Sequence, residues 1–180
     1  MLVKTSLIEK DTIRSIINGA LDQLYEKDQY LIYHDSPIRR FSHVSERGIV
    51  FRLGIYVDQR LRSNDYNLFD GYNLDAEYNR NINNVKCIPT VEKGAYPDLI
   101  IHNRGNNNYN LLAIEIKPWW GSLDEGSERY ERDIKKLCDL TGQKYFYKYG
   151  LFIILGKTLK EVSLLWVQNG EEKPYEKIDN

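Results

Sequence analysis

Apolar side chains recur at helical spacing at Ile13, Ile16, Ile17, Ala20 and Leu24, the stripe a helix lays on a core. Asp11 stands where an N-cap oxygen is needed, so a first helix is expected to open there. The segment 28–41 contains Pro37 and reads as an irregular connection. Val50, Leu53, Val57 and Leu61 renew the stripe and predict a second helix over about 42–61. Glu46 falls four residues before Val50, on the apolar stripe rather than the wet face. Three short runs follow at 72–80, 96–102 and 110–118, strand-like in residue type and bounded by Asn, Gly or Pro. The last two are joined by Asn103-Arg104-Gly105-Asn106-Asn107-Asn108-Tyr109, whose Asn and Gly residues tolerate positive φ and suit an antiparallel hairpin. Ser122-Leu123-Asp124-Glu125 has capping-box form. It is expected to open a third helix with Tyr130, Ile134 and Leu137 inward, ending at Gly142. Residues 151–155 are apolar on both faces, as in a strand covered on both sides, and 162–167 supply another strand. The order helix, helix, three strands, helix, two strands predicts a mixed α+β (α/β) domain.

Length and composition narrow this picture. A chain of 180 residues and 21.2 kDa fits one hydrophobic core, so 1–180 is expected to be a single domain. Its parts would be a helix and connection at 1–41, a core at 42–156, and a final strand and tail at 157–180. With 42% hydrophobic and 28% charged residues, disorder is excluded. The longest apolar run, 151–155, is far short of the roughly 20 residues of a membrane helix. The N-terminus shows no signal-peptide pattern, and Cys87 and Cys138 have no metal or disulfide spacing, so a reducing cytoplasm is the expected home. The net charge of −1 argues against a uniformly basic surface. Charge is uneven: six arginines at 39, 40, 47, 52, 60 and 62 face only Glu46 and Asp58 in their window, while four acids and two lysines follow from Glu171.

The chemistry concentrates in two of the expected strands. Glu115 and Lys117 alternate onto one face about 7 Å apart, and Asp98 on the neighbouring strand comes within about 5 Å of that face. Among Leu111, Leu112, Ala113 and Ile114, such charges are costly unless they pair or bind a metal. Pro97-Asp98, a hairpin, then Glu115-Ile116-Lys117, with a preceding helix bearing Glu46 and a following helix and apolar strand, resembles the PD-(D/E)xK nuclease superfamily over residues 42–156. Asp75-Ala76-Glu77-Tyr78-Asn79-Arg80 followed by Tyr96-Pro97-Asp98-Leu99-Ile100-Ile101-His102 is similar to its small stand-alone prokaryotic members.

The resemblance implies a restriction-endonuclease-like αβββαβ core, here with an extra N-terminal helix and a mixed sheet flanked by helices. It implies Mg²⁺, for which Mn²⁺ can substitute, on Asp98, Glu115 and the Ile116 carbonyl, with Glu46 adding to the shell. Lys117 would orient the attacking water and stabilise the transition state. The implied activity is phosphodiester hydrolysis, and the implied partner is nucleic acid, DNA before RNA. A homodimer is compatible with this reading. Phosphate or base contacts are expected from Arg39, Arg40, Arg47, His102, Arg104 and Trp119, the tryptophan by stacking. The rival readings are a nuclease-like binding module without turnover and an immunity- or antitoxin-like interaction protein.

Overall fold

The computed structural model describes residues 8–33, 45–63, 68–81, 84–88, 96–120 and 127–178. A first helix, α1 (Lys10–Ile32), precedes a second, α2 (Glu46–Arg62). Then come β1 (Asn73–Ala76), the short pair β2 (Arg80–Asn81) and β3 (Asn84–Val85), β4 (Leu99–His102) and β5 (Leu112–Pro118). The third helix, α3 (Glu128–Thr141), leads to β6 (Tyr149–Leu155), β7 (Ser163–Gln168) and β8 (Glu171–Lys177). Six strands form one sheet in the order β1-β4-β5-β6-β7-β8, and β2-β3 form a separate ribbon. Only the β5–β6 contact in the large sheet is parallel, with α3 as the crossover a parallel pair requires.

The sheet divides two apolar layers. Leu99, Ile101, Ile114, Ile116, Leu151 and Ile153 face α1 and α2. Ile100, Ala113, Phe152 and Val167 face Tyr130, Ile134 and Leu137 of α3. The period of two along β5 therefore turns Glu115 and Lys117 toward α3. Gly54 lets α2 approach the sheet closely, since a Cβ there would stand 3.2 Å from Leu99. Gly150 does the same for α3, where a Cβ would meet Thr141 at 3.2 Å and Leu137 at 3.3 Å.

Several expected boundaries move. The N-cap of α1 is Glu9 rather than Asp11, which lies in the first turn. The helix also runs four residues past Asp28, the expected start of the connection, with non-helical angles only at that residue. The cap of α2 is Ser45. The cap of α3 is Ser127, whose Oγ accepts from the Tyr130 N–H, while the Ser122 capping box lies outside the described residues. The run 72–80 is not one strand. Glu77 adopts φ 47°, in the left-handed region, and ends β1, and Arg80 belongs to the separate ribbon. The run 96–102 becomes a strand only from Leu99, leaving Asp98 at a bend. The acidic tail contains a strand the hydrophobic pattern did not suggest, β8 at the sheet edge. No helix among the described residues is long and apolar enough to cross a membrane.

Candidate active site

The site forms where β4 and β5 part. Their register runs from Ile101–Leu112 to Leu99–Ile114 and stops. Beyond that point the Asp98 side chain replaces the missing strand: its Oδ2 accepts from the Ile116 N–H at 2.7 Å. The Asp98 carbonyl accepts from the Glu77 N–H at 3.2 Å, so this residue is held from both neighbouring strands. The Ile116 carbonyl lies on the same strand edge as its N–H and also points into the split.

Lys117, 4% exposed, fills the centre of the cluster. Its Nζ lies 2.9 Å from Glu46 Oε1, 3.4 Å from Asp133 Oδ2 and 4.0 Å from Asp98 Oδ2. Glu46 belongs to the opposite layer and reaches Lys117 past the end of β4, where no strand among the described residues flanks β5 on that edge. Its other oxygen lies 3.3 Å from Arg129 Nη2. Glu115, 1% exposed, has Lys136 Nζ 2.6 Å from its Oε1. That ammonium is the cation set against the buried Glu115 carboxylate. Lys136 also lies 3.3 Å from Asp133.

Burial, opposed chiefly by Lys117 and the Ile116 N–H, holds the Asp98 carboxyl above the usual carboxylate range. Burial and the nearby Asp98 charge push Glu115 well above it. Burial works to discharge Lys117, but Asp98, Asp133 and Glu46 outweigh it and keep the ammonium firmly charged.

Among the described residues, no three Asp, Glu, His or Cys side chains are arranged to hold a metal together. Lys117 stands between Glu46, Asp98 and Asp133, and both Glu46 oxygens face cations. The donor set that remains is Asp98, Glu115 and the Ile116 carbonyl. It fits Mg²⁺, which takes hard oxygen ligands and commonly only one or two carboxylates beside its waters. Glu115 Oε1 already faces the Lys136 ammonium, so an ion bound there would share the carboxylate with that lysine.

An open cleft of about 640 Å³ leads to the cluster and is lined by Glu46, Arg47, Phe51, Glu77, Asp98 and Arg129 among others. Arg47 lies on it, 3.3 Å from Glu77. The wider arginine surface does not stand free: Arg52 lies 3.4 Å from Asp28, and Arg62 lies 2.7 Å from Asp58. Arg39 and Arg40 lie outside the described residues.

His102 has the strand parity of Asp98 but lies at the far end of β4, four positions from it. Its Nε2 lies 2.8 Å from Asp75 Oδ2, and Arg104 pairs with the same carboxylate. Burial outweighs Asp75 and lowers the His102 pKa. Trp119 donates from Nε1 to the Ile32 carbonyl at 3.2 Å and meets Trp120 edge-on, so its ring is tied into the α1 side of the fold. His102, Arg104 and Trp119 are thus not gathered with Asp98.

Asp133, Lys136 and Arg129 were not among the expected site residues. A signal existed for one of them: Asp133 lies three residues after Tyr130 and four before Leu137, on the inward stripe of α3.

Compared with known proteins, the chain matches no family model, no curated protein and no solved structure.

Proposed function

We propose that the chain is a metal-dependent nuclease of restriction-endonuclease-like fold that hydrolyses phosphodiester bonds, with DNA the favoured substrate. The observation that carries this reading is the split between β4 and β5, with Asp98 bridging it and Glu115 and Lys117 on the next strand. The succession α2, β1, β4, β5, α3, β6, with an antiparallel meander and then a parallel strand, supports an αβββαβ core.

Asp98, Glu115 and the Ile116 carbonyl would hold Mg²⁺ or Mn²⁺. When bound, the ion lowers the pKa of a coordinated water and neutralises charge developing on the scissile phosphate. Lys117 contributes a positive charge beside that phosphate and orients the water, a role that suits an ammonium held by its neighbouring acids. Glu46 and Asp133 fix the lysine from the two layers of the fold.

The test is cleavage of supercoiled plasmid and end-labelled oligonucleotides with Mg²⁺ or Mn²⁺ by wild type, Asp98→Asn and Lys117→Met. Metal-dependent cleavage by wild type alone supports the reading. Wild type that cuts nothing with either metal overturns it. The pairing of Lys117 with three acids favours one second reading, a module of the same fold that binds nucleic acid without cutting it. Binding with no turnover in the same assay selects that reading.

A further inference from the structure

The cleft carries a side chain that phosphodiester chemistry does not need. Phe51 is 67% exposed, although it lies on a helix whose neighbours Val50 and Leu53 are buried. It lines the cleft together with Asp98, Glu46 and Arg47, four residues before it on the same face of α2. A single exposed ring is ordinary on a protein surface; what distinguishes Phe51 is its place in the cleft that leads to Asp98.

The charges of the same cleft limit what can bind there. Among the described residues Glu46, Glu77 and Asp98 line it, and its two arginines each lie beside an acid: Arg47, an exposed side chain, 3.3 Å from Glu77 and Arg129 3.3 Å from Glu46. A continuous duplex is gripped mainly through its phosphates by cations that are free to replace counterions. Among the described residues this wall offers two cations, each beside an acid. A base presents a neutral face, and stacking on an aromatic ring contributes affinity that the acids do not oppose. At about 640 Å³ the cleft is also in the range that accepts one small-molecule-sized group, such as a single nucleotide.

We infer that Phe51 is a stacking platform for an unpaired base beside the scissile phosphate, so the nuclease acts on single-stranded or frayed DNA in preference to continuous duplex. This rests on the nuclease reading and adds its substrate class. Extrusion of a base from intact duplex costs a few kcal/mol, whereas a single strand or flap presents the base without that cost.

The experiment measures binding of a labelled single strand, the matching blunt duplex and a duplex with an unpaired flap, with Ca²⁺ in place of Mg²⁺ and across a range of salt. Wild type, Phe51→Ala and Phe51→Trp are compared, with cleavage under Mg²⁺ measured in parallel. Wild type is expected to bind the single strand and flap more tightly than the duplex. Phe51→Ala should lose about 5- to 100-fold in affinity for both, with the salt slope and melting temperature unchanged. Phe51→Trp should restore the affinity. Equal single-strand binding by wild type and Phe51→Ala overturns the inference, as does a Phe51→Ala variant whose defect is a change of oligomeric state in sedimentation, which would assign the ring to self-association. Preferential cleavage of continuous duplex by both proteins ends the stacking inference and leaves the nuclease reading standing. A wild type that neither binds nor cuts any substrate ends both.

Discussion

Asp98 serves the fold and the site with one carboxylate, which makes it the most informative single residue. An amide keeps an oxygen for the Ile116 N–H and removes the charge that burial opposes. Asp98→Asn should therefore fold as well as wild type, within about 1 kcal/mol, and lose roughly 100-fold or more of its cleavage rate. Thermal melts and plasmid nicking check the two halves. Lys86 offers a second test at this scale. It is 2% exposed, its Nζ donates to the Tyr147 hydroxyl at 2.9 Å, and the rings of Tyr147, Tyr78 and Tyr145 lie 4.9, 5.6 and 6.0 Å away. Burial depresses its pKa to about 8, below the ordinary lysine value of the unfolded chain. The unfolded state then binds more protons above pH 8, so stability rises with pH in that window. From pH 7 to 9.5, urea unfolding should shift in favour of wild type relative to Lys86→Met by about 1–2 kcal/mol. A difference that does not change with pH would show that the tyrosine cage offsets the burial cost. Asp98, Glu115 and Lys117 were legible because charged residues stood out in apolar strands. His102 has the strand parity of Asp98 but sits four positions along the chain, and alternation reports the face of a strand and not the distance along it.

Helix α3 joins the site through its inward face. Asp133 and Lys136 sit three residues apart and turn their charges to β5 rather than to water. Removing the lysine leaves Glu115 buried without its cation. Lys136→Met should therefore destabilise the protein by about 3–5 kcal/mol at neutral pH. The loss should shrink as pH falls: the folded-state pKa of Glu115 lies above its unfolded value, so the folded protein takes up the proton first. Adding Glu115→Gln should recover most of the stability at pH 7, and urea unfolding of the single and double variants at two pH values measures all three effects. The sequence hid this role because Lys136 lies in a run of alternating charge that reads as a wet face. β8 was hidden for a related reason. Its Glu-Glu-Lys-Pro-Tyr-Glu-Lys lacks apolar alternation because it is an edge strand, where charge and proline guard against further pairing. The strands beside the site were the easier part. β4 and β6 are buried along nearly their whole length, and the Asn-Gly connection placed β4 and β5 as an antiparallel pair.

At the level of the whole molecule, one sheet carries both apolar layers, and the charged cluster is clamped between them: Glu46 from α2, Asp133 and Lys136 from α3, Asp98 and Lys117 from the sheet. A ligand bound to this cluster therefore reports on the stability of the entire fold. The net charge of −1 said nothing of this arrangement, because it averages a tightly paired cluster with an acidic edge strand. Binding to the native state alone at a hundred times the dissociation constant adds about 2.7 kcal/mol. For a domain of this size that is a rise in Tm of roughly 5–10 °C. Mg²⁺ or Mn²⁺ should produce such a rise in wild type, and Glu115→Gln should remove most of it while Glu46→Gln retains most, since both Glu46 oxygens already face Lys117 and Arg129. Calorimetric scans over a metal titration decide the point. Equal shifts in wild type and Glu115→Gln would move the ion away from the β4–β5 split, and an abolished shift in Glu46→Gln would make that carboxylate a ligand in its own right.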